Sequence, residues 1–156
     1  MQNNEAIITR FYEAFQKRNS AAMNACYIEN IAFSDPVFGL MYGDDVRGMW
    51  DMLCKNGKDL QLSFGNIQLL DEEYATCEWI AQYTFSQTGR RVVNKIKAHM
   101  RIENGVITEH SDAFDIYGWS RQALGWKGWL FGWTAWFQKK LQQKTRIALK
   151  NFMEKK

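Results

Sequence analysis

Over the first third of the chain, apolar residues recur at helical spacing. Ile7, Ile8, Phe11 and Phe15 share one stripe, with Asn3 or Asn4 as the cap, so the spacing predicts an N-terminal helix with a single buried face. Arg18-Asn19-Ser20 interrupts it, and Ser20 is expected to cap a short second helix through Ala21, Met23 and Tyr27. Ile31 to Ser34 reads as a short strand, and Pro36 holds the preceding Asp35 extended. A third helix opens at Asp44-Asp45, buries Val46, Met49, Trp50 and Leu53, and stops at Asn56-Gly57.

From Leu60 the period changes to two. Residues 60–70, 76–86, 92–103 and 106–117 read as four strands, with Thr88-Gly89 and Asn104-Gly105 as turns. Three helices followed by consecutive strands predict an α+β fold, a curved antiparallel sheet with the helices packed on one face. Alternation assigns that face. Cys77, Trp79, Ala81, Tyr83 and Phe85 share one side, and Asn94, Ile96, Ala98, Met100 and Ile102 lie opposite Lys95, Lys97, His99 and Arg101. Turning the charged set inward would bury several charges without partners, so the apolar sets face the helices. By the same parity Thr108, His110, Asp112 and Phe114 point inward and His99 outward. Asp115 also points outward, as a cap or an ion-pair partner.

A length of 156 residues with 46% hydrophobic and 15% aromatic residues suits one globular domain. One proline and no Ser/Gly-rich run leave no linker. The N-terminus has no basic segment followed by an apolar run, so no signal peptide is expected. Cys26, Cys54 and Cys77 are odd in number and widely spaced, which suits buried free thiols and a cytoplasmic location. The net charge of +3 is unevenly placed: residues 119–156 carry nine Lys or Arg against Glu154 alone, a net +8, leaving −5 for the first 118. Such a tail is either the solvated face of a terminal helix or a surface for an anionic partner.

The chemistry concentrates in two segments. F-S-D-P-V-F-G places Asp35 at a strand end, and H-S-D-A-F-D places His110 and Asp112 two apart on one inward face. Inward polar groups in an apolar concavity need hydrogen-bond partners or a ligand. As catalytic candidates, Asp35, His110 and Asp112 would exchange protons with a bound molecule. The alternative is structural: Asp35 braces its loop, and His110 and Asp112 satisfy each other. Phe11, Phe15, Phe38, Trp50 and Trp79 are expected to line the pocket on one side. Tyr83, Phe85, Asn94, Ala98 and Phe114 are expected to complete it. Parity separates the two histidines, so no metal is expected. Nucleotide and serine-hydrolase motifs are missing, and no cofactor is expected. The stripe of Lys95, Lys97 and Arg101 is balanced partly by Glu78, and nucleic acid is not an expected partner.

F-Y-E-A-F-Q-K-R-N-S-A-A-M, F-S-D-P-V-F-G and H-S-D-A-F-D, in this order of elements, resemble the nuclear transport factor 2-like superfamily over about residues 3–125. That superfamily is the conical α+β fold of ketosteroid isomerase, limonene epoxide hydrolase and the SnoaL-like polyketide cyclases, and a SnoaL-like subgroup is the most similar. The resemblance puts Asp35 at the general base of ketosteroid isomerase. It puts Phe11 and Ala98 where that enzyme keeps its oxyanion donors, so steroid-type isomerisation is not implied. Asp112 falls on an aspartate of limonene epoxide hydrolase, whose partner residues would sit at Ala81 and Tyr83. Binding of a small, largely apolar molecule is implied, with isomerase, cyclase or hydrolase chemistry, or with none as a binding or interaction module. A homodimer through the outer sheet face is also expected.

Residues 126–156 extend beyond the superfamily core. Leu130, Trp133, Phe137, Leu141, Ala148 and Phe152 approximate one stripe, while Trp126, Trp129 and Trp136 add apolar surface beside Lys139, Lys140, Lys144 and Lys150. A lid over the cone or a helix docked on the domain or a second subunit is the preferred reading. A membrane-surface element is the third.

Overall fold

Alternation between buried and exposed positions over residues 92–102 builds the longest strand of a six-stranded sheet, ordered β2-β1-β6-β5-β4-β3. The computed structural model describes residues 2–155. Its strands are β1 (Tyr27–Asp35), β2 (Gly39–Tyr42), β3 (Gln61–Leu69), β4 (Tyr74–Phe85), β5 (Arg90–Glu103) and β6 (Val106–Ala113). Helices α1 (Gln2–Gln16), α2 (Ser20–Asn24) and α3 (Asp44–Asn56) lie N-terminal to the long strands, and α4 (Ile116–Leu124), α5 (Trp126–Phe131) and α6 (Ala135–Glu154) follow them.

The sheet is curved, open and mixed rather than wholly antiparallel, because β1 runs parallel to β6. β1 and β6 are separated in sequence by α3 and four strands, so no hairpin dictates their direction. The register places Phe33 beside His110 and Ser34 beside Ser111, and Asp35 and Asp112 follow next. The pairing shifts register at three places, and besides the one in β1 between Tyr27 and Ala32 two are bulges of the long strands. One lies between Gly65 and Gln68, with Asn66 at a φ of 48°; the other makes Thr108 an extra residue between Ile107 and Glu109. The second changes the expected facing. Ile107 is fully buried, and the inward series resumes at His110.

Several local expectations are corrected. Asn3 and Asn4 lie within α1, and the Asn4 amide donates to the Glu72 carbonyl at 2.8 Å instead of capping. Asn19 rather than Ser20 caps α2, and Tyr27 opens β1 rather than ending a helix. The fourth expected strand stops at Ala113, and the chain turns into α4 with exposed Asp115 at its N-cap position. That side chain makes no capping bond, so its expected capping role is only positional.

Phe11, Tyr12, Phe33 and Trp50 are fully enclosed between α1, α3 and the sheet. His99 is exposed and His110 buried, as the alternation requires. α6 lies across α3 and the turn between β1 and β2. Gln142 donates to the Pro36 carbonyl at 3.1 Å, Arg146 to that of Leu40 at 3.0 Å, and Leu149 is buried. Gly48 on α3 makes room for α6, since a Cβ there would lie 2.7 Å from the Met153 sulfur.

Candidate functional site

The parallel pairing of β1 and β6 decides the chemistry, because it brings the two sequence segments with inward polar groups side by side. Asp35 ends β1, where Pro36 and the following turn aim two backbone N–H groups back at it. Val37 and Phe38 donate to Oδ1 at 2.9 and 2.6 Å. Burial nevertheless dominates. It pushes the Asp35 carboxyl from 3.8 up to about 7, opposed by the Phe38 N–H and reinforced by the nearby charge of Asp112. Asp35 is therefore poised to gain or lose a proton near neutrality.

Asp112 stands on β6 opposite Ala98 of β5. Its Oδ1 lies 2.9 Å from Nε2 of His110 and 3.4 Å from the indole nitrogen of Trp79. His110 is enclosed behind it, with the rings of Phe11 and Phe33 edge-on and that of Trp50 stacked at 6.2 Å. On its other side the Tyr27 hydroxyl lies 2.7 Å from Nδ1 and accepts a hydrogen bond from the Trp50 indole at 3.0 Å. A chain of polar groups thus runs Trp50, Tyr27, His110, Asp112 through the apolar core. Tyr27 and the indole of Trp50 were not identified from the sequence as partners, since Tyr27 fitted the helical spacing from Met23.

Asp35 and Asp112 open into one cavity of about 260 Å³. Of the pocket residues named from the sequence, Phe15, Phe38, Trp50, Trp79, Tyr83, Phe85, Asn94 and Phe114 lie around it. Phe11 and Ala98 do not: Phe11 is sealed in the core against His110, and Ala98 lies beneath the floor beside Asp112. His110 likewise contributes through Asp112 and not directly, its side chain being fully buried. Ala81 lines the cavity beside Tyr83. The C-terminal helix, expected as a lid or a docked element, supplies one wall through Leu141, Lys144, Thr145 and Ala148 of α6; these residues and Trp119 of α4 were not among the pocket residues expected from the sequence.

Two hydrogen-bond donors face this space. The Tyr83 hydroxyl accepts from the Trp119 indole at 2.7 Å, which leaves its own proton free, and burial raises its pKa so that the proton stays. The Asn94 side-chain amide has no protein hydrogen-bond partner among the described residues. Ala81 pairs with Asn94 in the sheet, so Tyr83, two residues further on, is a diagonal neighbour on the same face. Tyr12, adjacent in sequence to Phe11, supplies no donor here. Its buried hydroxyl stays unpartnered, and its ring stacks on Phe64 away from the cavity.

A larger, open depression of about 480 Å³ lies near the Gly65 bulge, lined by Ser63, Asn66, Glu78, Lys95 and Lys97, without the carboxylate pair. The described residues contain no group of three His, Cys, Asp or Glu placed to hold a metal ion. The three cysteines are buried and free, and burial raises each thiol, Cys54 and Cys77 to about 11, so none is an activated nucleophile.

Among solved structures the chain is similar to a nuclear transport factor 2-like protein of unknown function from Burkholderia pseudomallei. Identity is 21%, with 74% of this chain and 92% of that one covered at a TM-score of 0.62. It is similar to a putative polyketide cyclase from Xanthomonas campestris at 17% identity, 78% and 96% coverage and a TM-score of 0.65. A third is a protein with a ketosteroid isomerase-like fold from Catenulispora acidiphila in complex with trimethylamine, at 14% identity, 75% and 91% coverage and a TM-score of 0.66. At these identities the likeness concerns the fold. No curated protein sequence matches significantly. The family model for the SnoaL-like domain matches residues 8–110, from the buried stripe of α1 to the histidine behind Asp112, and the chain belongs to the SnoaL-like domain family.

Proposed function

We propose that the cavity binds a small, largely apolar molecule bearing a carbonyl group, and that Asp35 acts on it as a general base. The observation that carries this reading is a buried carboxyl held near pH 7 beside a second carboxylate, in an apolar cavity with two free donors. Asp35 takes a proton from the carbon next to the carbonyl, and the electron pair moves onto the carbonyl oxygen. The Tyr83 hydroxyl and the Asn94 amide stabilise that oxyanion. Where a neighbouring double bond extends the enolate, Asp35 returns the proton at the far carbon, giving isomerisation; otherwise the enolate carbon attacks a second carbonyl of the same molecule, closing a ring, and the new alkoxide oxygen takes the proton back from Asp35.

Asp112 serves as the second carboxylate, oriented by His110 and Tyr27, which act as positioning residues. Lys144, exposed on α6, adds one cation to that wall of the cavity. The putative polyketide cyclases among the structural neighbours support the same direction, since such ring closure begins with proton removal beside a carbonyl. At about 260 Å³ the cavity is at the small end of ligand sites, which favours a compact molecule.

The rival is a binding module without chemistry, favoured by the mutual satisfaction of His110 and Asp112. Native mass spectrometry of the purified protein identifies a retained ligand. Incubation with that ligand in deuterated water then separates the readings. Catalysis incorporates deuterium in the wild type but not in Asp35→Asn, which still binds. A ligand that returns unlabelled from the wild type overturns the catalytic reading.

A further inference from the structure

The segment after Gly125 carries its aromatic side chains outward. Trp126 is 66% exposed, Trp129 63%, Trp133 66% and Trp136 61%, with Leu130 and Phe131 also exposed between them. Leu130 and Trp133 therefore do not pack on their own domain; only the later part of the expected stripe, from Phe137 and Leu141 onward, turns toward it. The outward display is fixed by backbone packing. α5 presses its glycine side onto α4, where a Cβ at Gly128 would lie 1.9 Å from the Ser120 carbonyl oxygen and one at Gly132 would lie 2.8 Å from the Ser120 Cβ. Tyr117 donates to the Trp129 carbonyl at 2.8 Å, and Thr134 caps α6. With its small residues against the domain, the segment has no choice but to present the indoles to solvent.

Cations surround those indoles. The Lys140 ammonium lies 4.4 Å from the ring centre of Trp136 and that of Lys127 5.8 Å from Trp126, and Lys139 and Lys144 are exposed on the same helix as Trp136. Residues 119–156 carry +8 with Glu154 as their single acid. A symmetric contact between two copies would set this charge against itself. An anionic partner is complementary to it, and exposed indoles interleaved with lysines match the chemistry of a lipid headgroup layer, where the rings enter the interface and the ammonium groups stay at the phosphates. No described helix is long and apolar enough to cross a membrane, so attachment would be peripheral.

We propose that α5 and the first turns of α6 form a docking surface for anionic lipid membranes. The full chain is sedimented with phosphatidylcholine vesicles, with and without phosphatidylserine, at low and at physiological salt. Binding is expected only with phosphatidylserine, weakening by about tenfold or more as salt rises. The paired variants Trp129→Ala with Trp133→Ala, and Lys139→Glu with Lys140→Glu, should each lose about tenfold or more in affinity while keeping the wild-type melting temperature. Failure to bind at low salt overturns the proposal, as does equal binding to neutral vesicles or undiminished binding by the lysine variant. A wild-type dimer that the tryptophan variant converts to monomer, without vesicle binding, assigns the surface to a second copy instead. If the tryptophan variant does not fold, the lysine variant alone decides.

Discussion

The Tyr27 hydroxyl meets Nδ1 of His110 at 2.7 Å, and this contact sets the protonation of the whole buried chain. The Trp50 indole can only donate, so the Tyr27 oxygen accepts from it, and Nδ1 is the one acceptor among the described residues for the buried Tyr27 proton. Nε2 must then carry the imidazole proton and donate it to Asp112. Nitrogen chemical shifts of the neutral His110 ring should place its proton on Nε2. A neutral ring protonated on Nδ1 contradicts the assignment. Tyr27→Phe leaves Nδ1 and the Trp50 N–H unpartnered in the core and should cost about 1–3 kcal/mol, visible as a lower melting temperature.

Asp35 should make stability fall as pH rises. Its carboxyl is raised in the folded protein to about 7 from 3.8, so the folded state holds the proton more tightly than the unfolded chain. The associated stability is complete below about pH 4, drains away between about pH 4 and 7, and is absent above. Asp35→Asn keeps an oxygen for the Val37 and Phe38 N–H groups but never ionises. It should match the wild type near pH 4 and exceed it at pH 8, by a few kcal/mol at most, since one pKa unit is about 1.4 kcal/mol. Chemical denaturation at both pH values measures the difference, and equal stability at pH 8 would falsify a buried, ionising Asp35. Because the Asp112 charge contributes to the shift, Asp112→Asn should also lower the Asp35 pKa in a carboxyl NMR titration.

Much of this site was legible where strands are long and regular. The alternation in β4 and β5 placed Trp79, Tyr83 and Asn94 on the cavity side, and the separation of His99 from His110 followed from parity alone. Reading failed where a residue's environment is set by distant chain. Tyr27 is 83 positions from His110, and nothing local announces that β1 joins β6 in parallel. Thr108 follows the inward period on paper, but a bulge removes it from the series, and a bulge depends on pairing with β5. Phe11 has the right character for a pocket residue, yet it packs edge-on against the His110 ring inside the core and does not reach the cavity.

The α6 wall can be tested separately from any chemistry. Ala148 faces the cavity from the helix that sequence reasoning left as a lid or a docked element. Ala148→Phe should fill much of the space of about 260 Å³ from that side. A retained ligand should then bind at least about tenfold more weakly, or roughly 1.4 kcal/mol by titration calorimetry. Unchanged affinity would mean that the ligand occupies another part of the molecule.

Gly128 offers a test in which two physical effects predict opposite signs. Replacing a helical glycine with alanine ordinarily stabilises by about 1 kcal/mol, because the backbone loses less freedom on folding. Here the added Cβ would lie 1.9 Å from the Ser120 carbonyl oxygen and 2.9 Å from the Arg121 nitrogen, both backbone atoms that no side-chain rotation can move aside. Steric overlap should win, so that α5 lifts from α4 and the protein loses about 1–3 kcal/mol. Gly105→Ala, at a turn with a φ of 79° and open space around the added carbon, controls for backbone strain without contact. Thermal melts of the two variants give the comparison. A Gly128→Ala protein more stable than the wild type would show that α5 does not rest on α4, and with that the fixed outward display of Trp129 and Trp133 would lose its physical basis.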